Sequence, residues 1–299
     1  MVTGALHIYM IIIMMSLVDY FVFFDQGEPI LLNAHREQRL NAREPILCSD
    51  IAPDYKTIAT LDSKQHLVIW DAADATQIKD ILVTPPLRHR PRLLRYSPAT
   101  KRIIVADLFS VVLVDYATDR CDTIVNLNFD SMLSTCALTR DGSKIVYTFF
   151  DGRDPNGRCM IGLLDTRNND RRVMELNNIK GANCVLTSEN AKNVVITSNE
   201  GDLLLVDMEL LRPIRRFIGH RAEVCSMVLF CNEGYVMSYG FDDALMVWEL
   251  STGRSRRIAR EREGPIREMR ISADDKRILL KHASREGGIE EIPVKDAKP

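Results

Sequence analysis

The stretch GHRAEVCSMVLFCNEGYVMSYGFDDALMVWEL, residues 219–250, decides the fold. It opens on Gly219-His220 and runs through an apolar segment from Val224 to Phe230. A polar turn leads to a second run ending in Ser238-Tyr239-Gly240-Phe241-Asp242, and a third run closes on Val247-Trp248-Glu249. These runs are too short for helices, and the Asn, Gly and Asp between them are tight-turn residues, so the segment reads as short strands joined by turns. A Trp buried on the third strand needs an acceptor for its indole N–H. A Ser on the second strand supplies one.

Working outward, the closing marker recurs as YFVFFD at Asp25, LVIWD at Asp71, VVLVD at Asp115, IGLLD at Asp165, LLLVD at Asp207 and LMVWE at Glu249, in steps of 46, 44, 50, 42 and 42 residues. A turn between two apolar runs keeps the same beat. It stands at Ala52, Ser97, Thr139, Thr187, Phe230 and Ser272, in steps of 45, 42, 48, 43 and 42 residues. Two markers in phase establish a repeat, and its length is that of one four-stranded propeller blade.

With Trp70-Asp71 and the full succession of Gly-His, Ser, Asp and Trp-Glu in the sixth unit, the chain resembles the WD-repeat β-propellers. Resemblance spans nearly the whole chain in degenerate form, because Phe24, Val114, Leu164 and Val206 stand where the family has Trp. It implies that His220, Ser238, Asp242 and Trp248 form a buried structural relay, with His220 between carboxylate and hydroxyl. The expected fold is all-β: a single propeller domain over residues 1–299, with seven blades of four-stranded antiparallel sheet, the first and last incomplete. Their approximate limits are 1–40, 41–85, 86–128, 129–178, 179–220, 221–263 and 264–299.

The incomplete ends come from stepping the markers past both limits. Backwards, the turn marker reaches His7, so His7 to Met14 becomes a buried second strand and Asp19 to Asp25 a third. Continuous apolar runs suit strands covered on both faces. Residues 5–24 are also long and apolar enough to be read as a membrane span, against which stand His7, Asp19 and the lack of a preceding Lys or Arg. Forwards, PIREMRIS, KRILLKHA and GIEEIPV start a seventh unit that ends before a fourth strand. Such ends fit a fragment of a longer propeller protein or a ring with an imperfect seam; the alternative is six good blades plus an unrelated apolar N-terminus.

Composition sets limits on function. The apolar fraction of 46% and charged fraction of 27% suit a globular chain, and the formal charge of −2 gives no overall attraction to polyanions. Seven cysteines without a C-x-x-C pair, and no N-glycosylation acceptor, favour a reducing intracellular compartment and thiols that serve as small core groups. There is no phosphate-cradling Gly loop and no zinc-like spacing among the six histidines, so neither a cofactor nor a catalytic residue is expected.

Surface character points to partners. In a WD-repeat ring the loops entering each first strand share a face with those between second and third strands. On that resemblance Arg88, His89, Arg90, Arg92, Phe109, Arg221, Glu223 and Phe241 form the candidate partner face, Arg and aromatics being favoured at interface centres. The longer fourth unit carries a protruding turn, DGRDPNGR at 151–158. Arg254, Arg256 and Arg257, with Arg260, Arg262, Arg267 and Arg270 beyond them, give a basic edge. The leading expectation is a non-catalytic scaffold for protein–protein interactions within a multidomain protein or complex. The alternatives are a nucleic-acid or anionic-lipid binder using the basic edge, and a membrane-anchored propeller using residues 5–24.

Overall fold

A computed structural model describes residues 21–297, apart from 26–27, 34–35, 53–54, 98–99, 154–157, 178, 180, 189–191, 231–233, 260–263, 273–275 and 283–288. The chain is an all-β propeller. Unit two is the sheet β4 (Ile46–Ile51), β5 (Thr57–Asp62), β6 (His66–Asp71) and β7 (Gln77–Leu82). Unit three is β8 (Leu93–Tyr96), β9 (Arg102–Ala106), β10 (Ser110–Asp115) and β11 (Arg120–Asn126). Unit four comprises β12 (Ser131–Leu138), β13 (Lys144–Asp151), β14 (Arg158–Asp165) and β15 (Arg171–Glu175). Units five and six follow as β16 (Ala182–Thr187) to β19 (Arg212–Phe217), through β17 (Asn193–Ser198) and β18 (Leu203–Asp207), and β20 (Val224–Phe230) to β23 (Ser255–Ile258), through β21 (Tyr235–Gly240) and β22 (Leu245–Glu249). Unit seven has three strands, β24 (Ile266–Ile271), β25 (Arg277–His282) and β26 (Ile289–Pro293), then a short helix α1 (Val294–Ala297). Every sheet is an antiparallel meander.

The acidic markers have a local cause. From unit two to unit six each ends the third strand of its sheet, and from unit two to unit five its carboxylate accepts the backbone N–H two residues on: Ala73 on Asp71 at 2.7 Å, Ala117 on Asp115 at 3.0 Å, Arg167 on Asp165 at 2.9 Å and Glu209 on Asp207 at 2.8 Å. That bond starts the turn into the fourth strand. The fourth residue past each marker then takes the left-handed conformation: Ala75, Asp119, Asn169, Leu211 and, in unit six, Gly253. One hairpin design therefore repeats around the ring.

Cores lie between adjacent sheets rather than within one. Ile69 and Val83 of unit two pack with Leu94 and Val112 of unit three. Met227, Val236 and Trp248 of unit six pack against Val195 and Phe217 of unit five. Val294 and Ala297 of α1 are buried at the interface of units six and seven, which gives the chain end a packing role.

The seven-blade expectation is corrected to six blades among the described residues. Units two and seven meet directly at their inner strands. The Tyr55 hydroxyl donates to the Ile271 carbonyl, and the Arg270 guanidinium lies 3.1 Å from Asp50. No inner strand intervenes there, so the described part of unit one is not a blade of the ring. It forms a separate three-stranded sheet, β1 (Phe21–Asp25), β2 (Glu28–Asn33) and β3 (Arg36–Arg39), with β1 beside β4. The expected strand His7 to Met14, Asp19 and most of the apolar run 5–24 lie outside the described residues, while Phe21 to Phe24 fall in β1. Among the described residues, no helix is long and apolar enough to cross a membrane.

Candidate functional site

The four relay residues meet inside unit six. The indole N–H of Trp248 donates to Ser238 Oγ at 2.7 Å, Ser238 lies 2.8 Å from His220 Nε2, and His220 Nδ1 lies 3.0 Å from Asp242. A neutral His220 satisfies the whole chain: Ser238 donates to Nε2, and the Nδ1 proton goes to the carboxylate. Burial works against the Asp242 carboxylate, but the Arg221 backbone N–H and His220 outweigh it and hold its pKa below the usual value. This order of groups has the form of a Ser-His-Asp triad. Yet Ser238 is 0% exposed and its free lone pair is taken by the indole, which leaves no approach for a substrate. In unit two, Trp70 makes the same contact with Thr60 at 2.8 Å.

The relay ties loops together on one face of the ring. Asp242 holds the backbone N–H of Arg221 at 2.8 Å, joining the turn of Phe241 to the loop that enters unit six. Asp107 does the same work in unit three and was not picked out from the sequence. It is 2% exposed and accepts the backbone N–H of His89 at 2.9 Å, of Phe109 at 2.8 Å and of Ser110 at 2.7 Å. The signal that could have found it is its place at the start of the loop between second and third strands, near the position Asp242 holds in unit six.

Around Asp107 the candidate residues gather into a cluster. Arg88, His89, Arg90 and Arg92 are exposed, while Phe109 is buried beneath the His89 ring, with centroids 4.8 Å apart. The apolar group that faces solvent is Phe129, 75% exposed and edge-on to Phe109 at 5.5 Å, with exposed Met132 beyond it. A tight turn holds Phe129, closed by Ser131 N–H on the Asn128 carbonyl at 2.9 Å and anchored by Leu127 N–H on the Phe109 carbonyl at 2.7 Å. Gly152, in the expected protruding turn, donates to the Asp130 carbonyl at 2.6 Å; a Cβ on it would sit 2.4 Å from that oxygen. Residues 154–157 of that turn lie outside the described residues.

Arg221, Glu223 and Phe241 belong to unit six, three places around a ring of six, and form a second sector with exposed Ile218. Phe241 is 69% exposed and donates its backbone N–H to the Glu223 carbonyl at 2.9 Å. The basic edge is partly committed elsewhere. Arg256 reaches the Asp296 carbonyl of α1 at 2.5 Å and Arg257 the Asp243 carbonyl at 3.4 Å, while Arg254 is exposed. Arg260 and Arg262 lie outside the described residues.

Cysteine chemistry is muted. The six described thiols are free, and burial pushes Cys48 and Cys136 up to about 12 and Cys159 and Cys184 up to about 11. Cys231 lies outside the described residues. Among the described residues no cluster of His, Cys, Asp and Glu is arranged to hold a metal ion. No protein-family model and no curated protein matches the chain.

Proposed function

We propose that this chain is a degenerate WD-repeat propeller that acts as a non-catalytic scaffold, binding other proteins through the loop face within a larger protein or assembly. The observation that carries the reading is the exposed Phe129, edge-on to Phe109 and held in its turn by backbone hydrogen bonds, one of them to the Phe109 carbonyl, rather than folded into a core. A large aromatic held rigidly in water gains nothing for the fold and loses little entropy on contact with a partner, which is the character of an interface anchor. Phe241, exposed and held by its backbone N–H on the Glu223 carbonyl, stands on the opposite side of the ring. The relay and Asp107 are then the means by which these loops stay in place.

The test is affinity capture from cell extract with the full chain and with a Phe129→Ser, Phe241→Ser variant. Both side chains are exposed, so the variant should keep the wild-type circular dichroism and melting temperature while losing its specific partners. Partners retained at wild-type levels would overturn the reading.

A further inference from the structure

The two sectors of the loop face differ in charge, and that difference assigns a partner chemistry to one of them. Arg88, Arg90 and Arg92 flank the His89, Phe109 and Phe129 cluster, are exposed, and have no carboxylate partner among the described residues. Several other arginines are spent: Arg153 on Asp151, Arg167 on Asp165, Arg216 on Asp202, Arg270 on Glu268 and Asp50. Three neighbouring guanidinium groups left in water beside an exposed aromatic make a local cationic group. Around Phe241 the balance is different, with Glu223, Asp242 and Asp243 beside it and Arg221 and Arg257 as the near cations.

We infer that the unit-three sector binds a short peptide segment of a partner protein in which an apolar or aromatic side chain is flanked by Asp or Glu. This rests on the reading of the loop face as a protein-binding surface. The apolar side chain would pack on Phe129 and Met132, and the flanking carboxylates would meet Arg88, Arg90 and Arg92 in charge-assisted hydrogen bonds. Bracing of the Phe129 turn by the Gly152 N–H, which donates to the Asp130 carbonyl, and by the Phe109 carbonyl, which accepts from Leu127, lowers the entropy lost on binding. Charge alone does not separate such a peptide from single-stranded RNA; the exposed apolar pair Phe129 and Met132 beside the arginines favours the peptide.

The experiment is selection of displayed short random peptides on the full chain, followed by fluorescence anisotropy with the enriched peptides. The expected result is enrichment of Asp and Glu around an apolar residue, and binding weakened at least about tenfold by Phe129→Ser, by Arg90→Glu or by exchanging the peptide's acids for Lys. Binding should be unchanged in Phe241→Ser. A library without binders, enriched peptides that are neutral or basic, dependence on Phe241 in place of Phe129, or tighter binding of an oligouridylate each overturn the assignment. Those outcomes leave the loop-face reading itself standing, since that reading fails only if captured partners survive the Phe129→Ser, Phe241→Ser variant.

Discussion

At the scale of single residues, burial gives each polar group here a specific task. Ser238 is the one atom shared by Trp248 and His220, so Ser238→Ala would strand both nitrogens in the core. Stranding buried donors and acceptors costs about 1–3 kcal/mol per group, so urea denaturation should show a loss of a few kcal/mol. Thr60, which already accepts from Trp70, implies that Ser238→Thr recovers most of it. The buried thiols make a second prediction. Their pKa values are raised in the fold, so their contribution is complete below the unfolded value near 9 and is lost as pH rises toward 11–12. Stability should therefore fall from about pH 9 upward, by as much as about 1.4 kcal/mol per thiol per pH unit. The urea midpoint followed across that range checks it, and Cys136→Ala should flatten the slope.

At the scale of elements, the hairpin from third to fourth strand explains why the repeat could be read at all. Each such turn needs an acceptor at its start, so from unit two to unit six an acid stands at the end of the third strand, whatever happens to the Trp beside it. Only Gly253 meets the left-handed position with glycine; Ala75, with φ near 59°, holds it against its own Cβ. An L-residue there costs about 1–2 kcal/mol, and glycine returns part of that as unfolded-state entropy. Ala75→Gly should therefore stabilise the protein by up to about 1 kcal/mol, read as a higher melting temperature, whereas Gly253→Ala should lower it. Strand positions, turns and the relay were thus open to sequence reasoning because each repeat carries its own side-chain chemistry. Phe129 was not, since a lone aromatic between two strands looks like core until the Asn128 to Ser131 turn turns it outward. Nor was the structural use of the basic edge, because a guanidinium bound to a backbone carbonyl leaves no complementary residue to find.

At the scale of the molecule, those carbonyl contacts form a series. Two residues before each acidic marker, the cross-strand partner on the fourth strand is Lys79, Asp122, Arg172, Arg215 or Arg256. Lys79 donates to the Tyr116 carbonyl, Arg172 to Met208 and Glu209, Arg215 to Ser251 and Thr252, and Arg256 to Asp296, in each case on the next unit around the ring. Unit three breaks the series with an acid, Asp122. Asp122→Lys should add the missing clasp to unit four and raise stability by about 1 kcal/mol or less, while Arg215→Met should lower it by a similar amount. The seam has no such clasp among the described residues, and the marker count could not foresee it, because counting repeats does not say which of them pack into the ring. There Asp50 takes its place, accepting the Tyr96 backbone N–H at 3.0 Å on one side and Arg270 at 3.1 Å on the other. Burial opposes the Arg270 charge, but Glu268 and Asp50 outweigh it and hold its pKa above the usual value. The pair is partly buried and Arg270 keeps Glu268, so the cost of losing Asp50 falls chiefly on the Tyr96 N–H that it leaves unsatisfied, about 1–3 kcal/mol. Asp50→Ala should therefore lower stability by that order, and hydrogen exchange should quicken first in β4 and β24. Uniform quickening across all six units would mean that the ring does not close at Asp50.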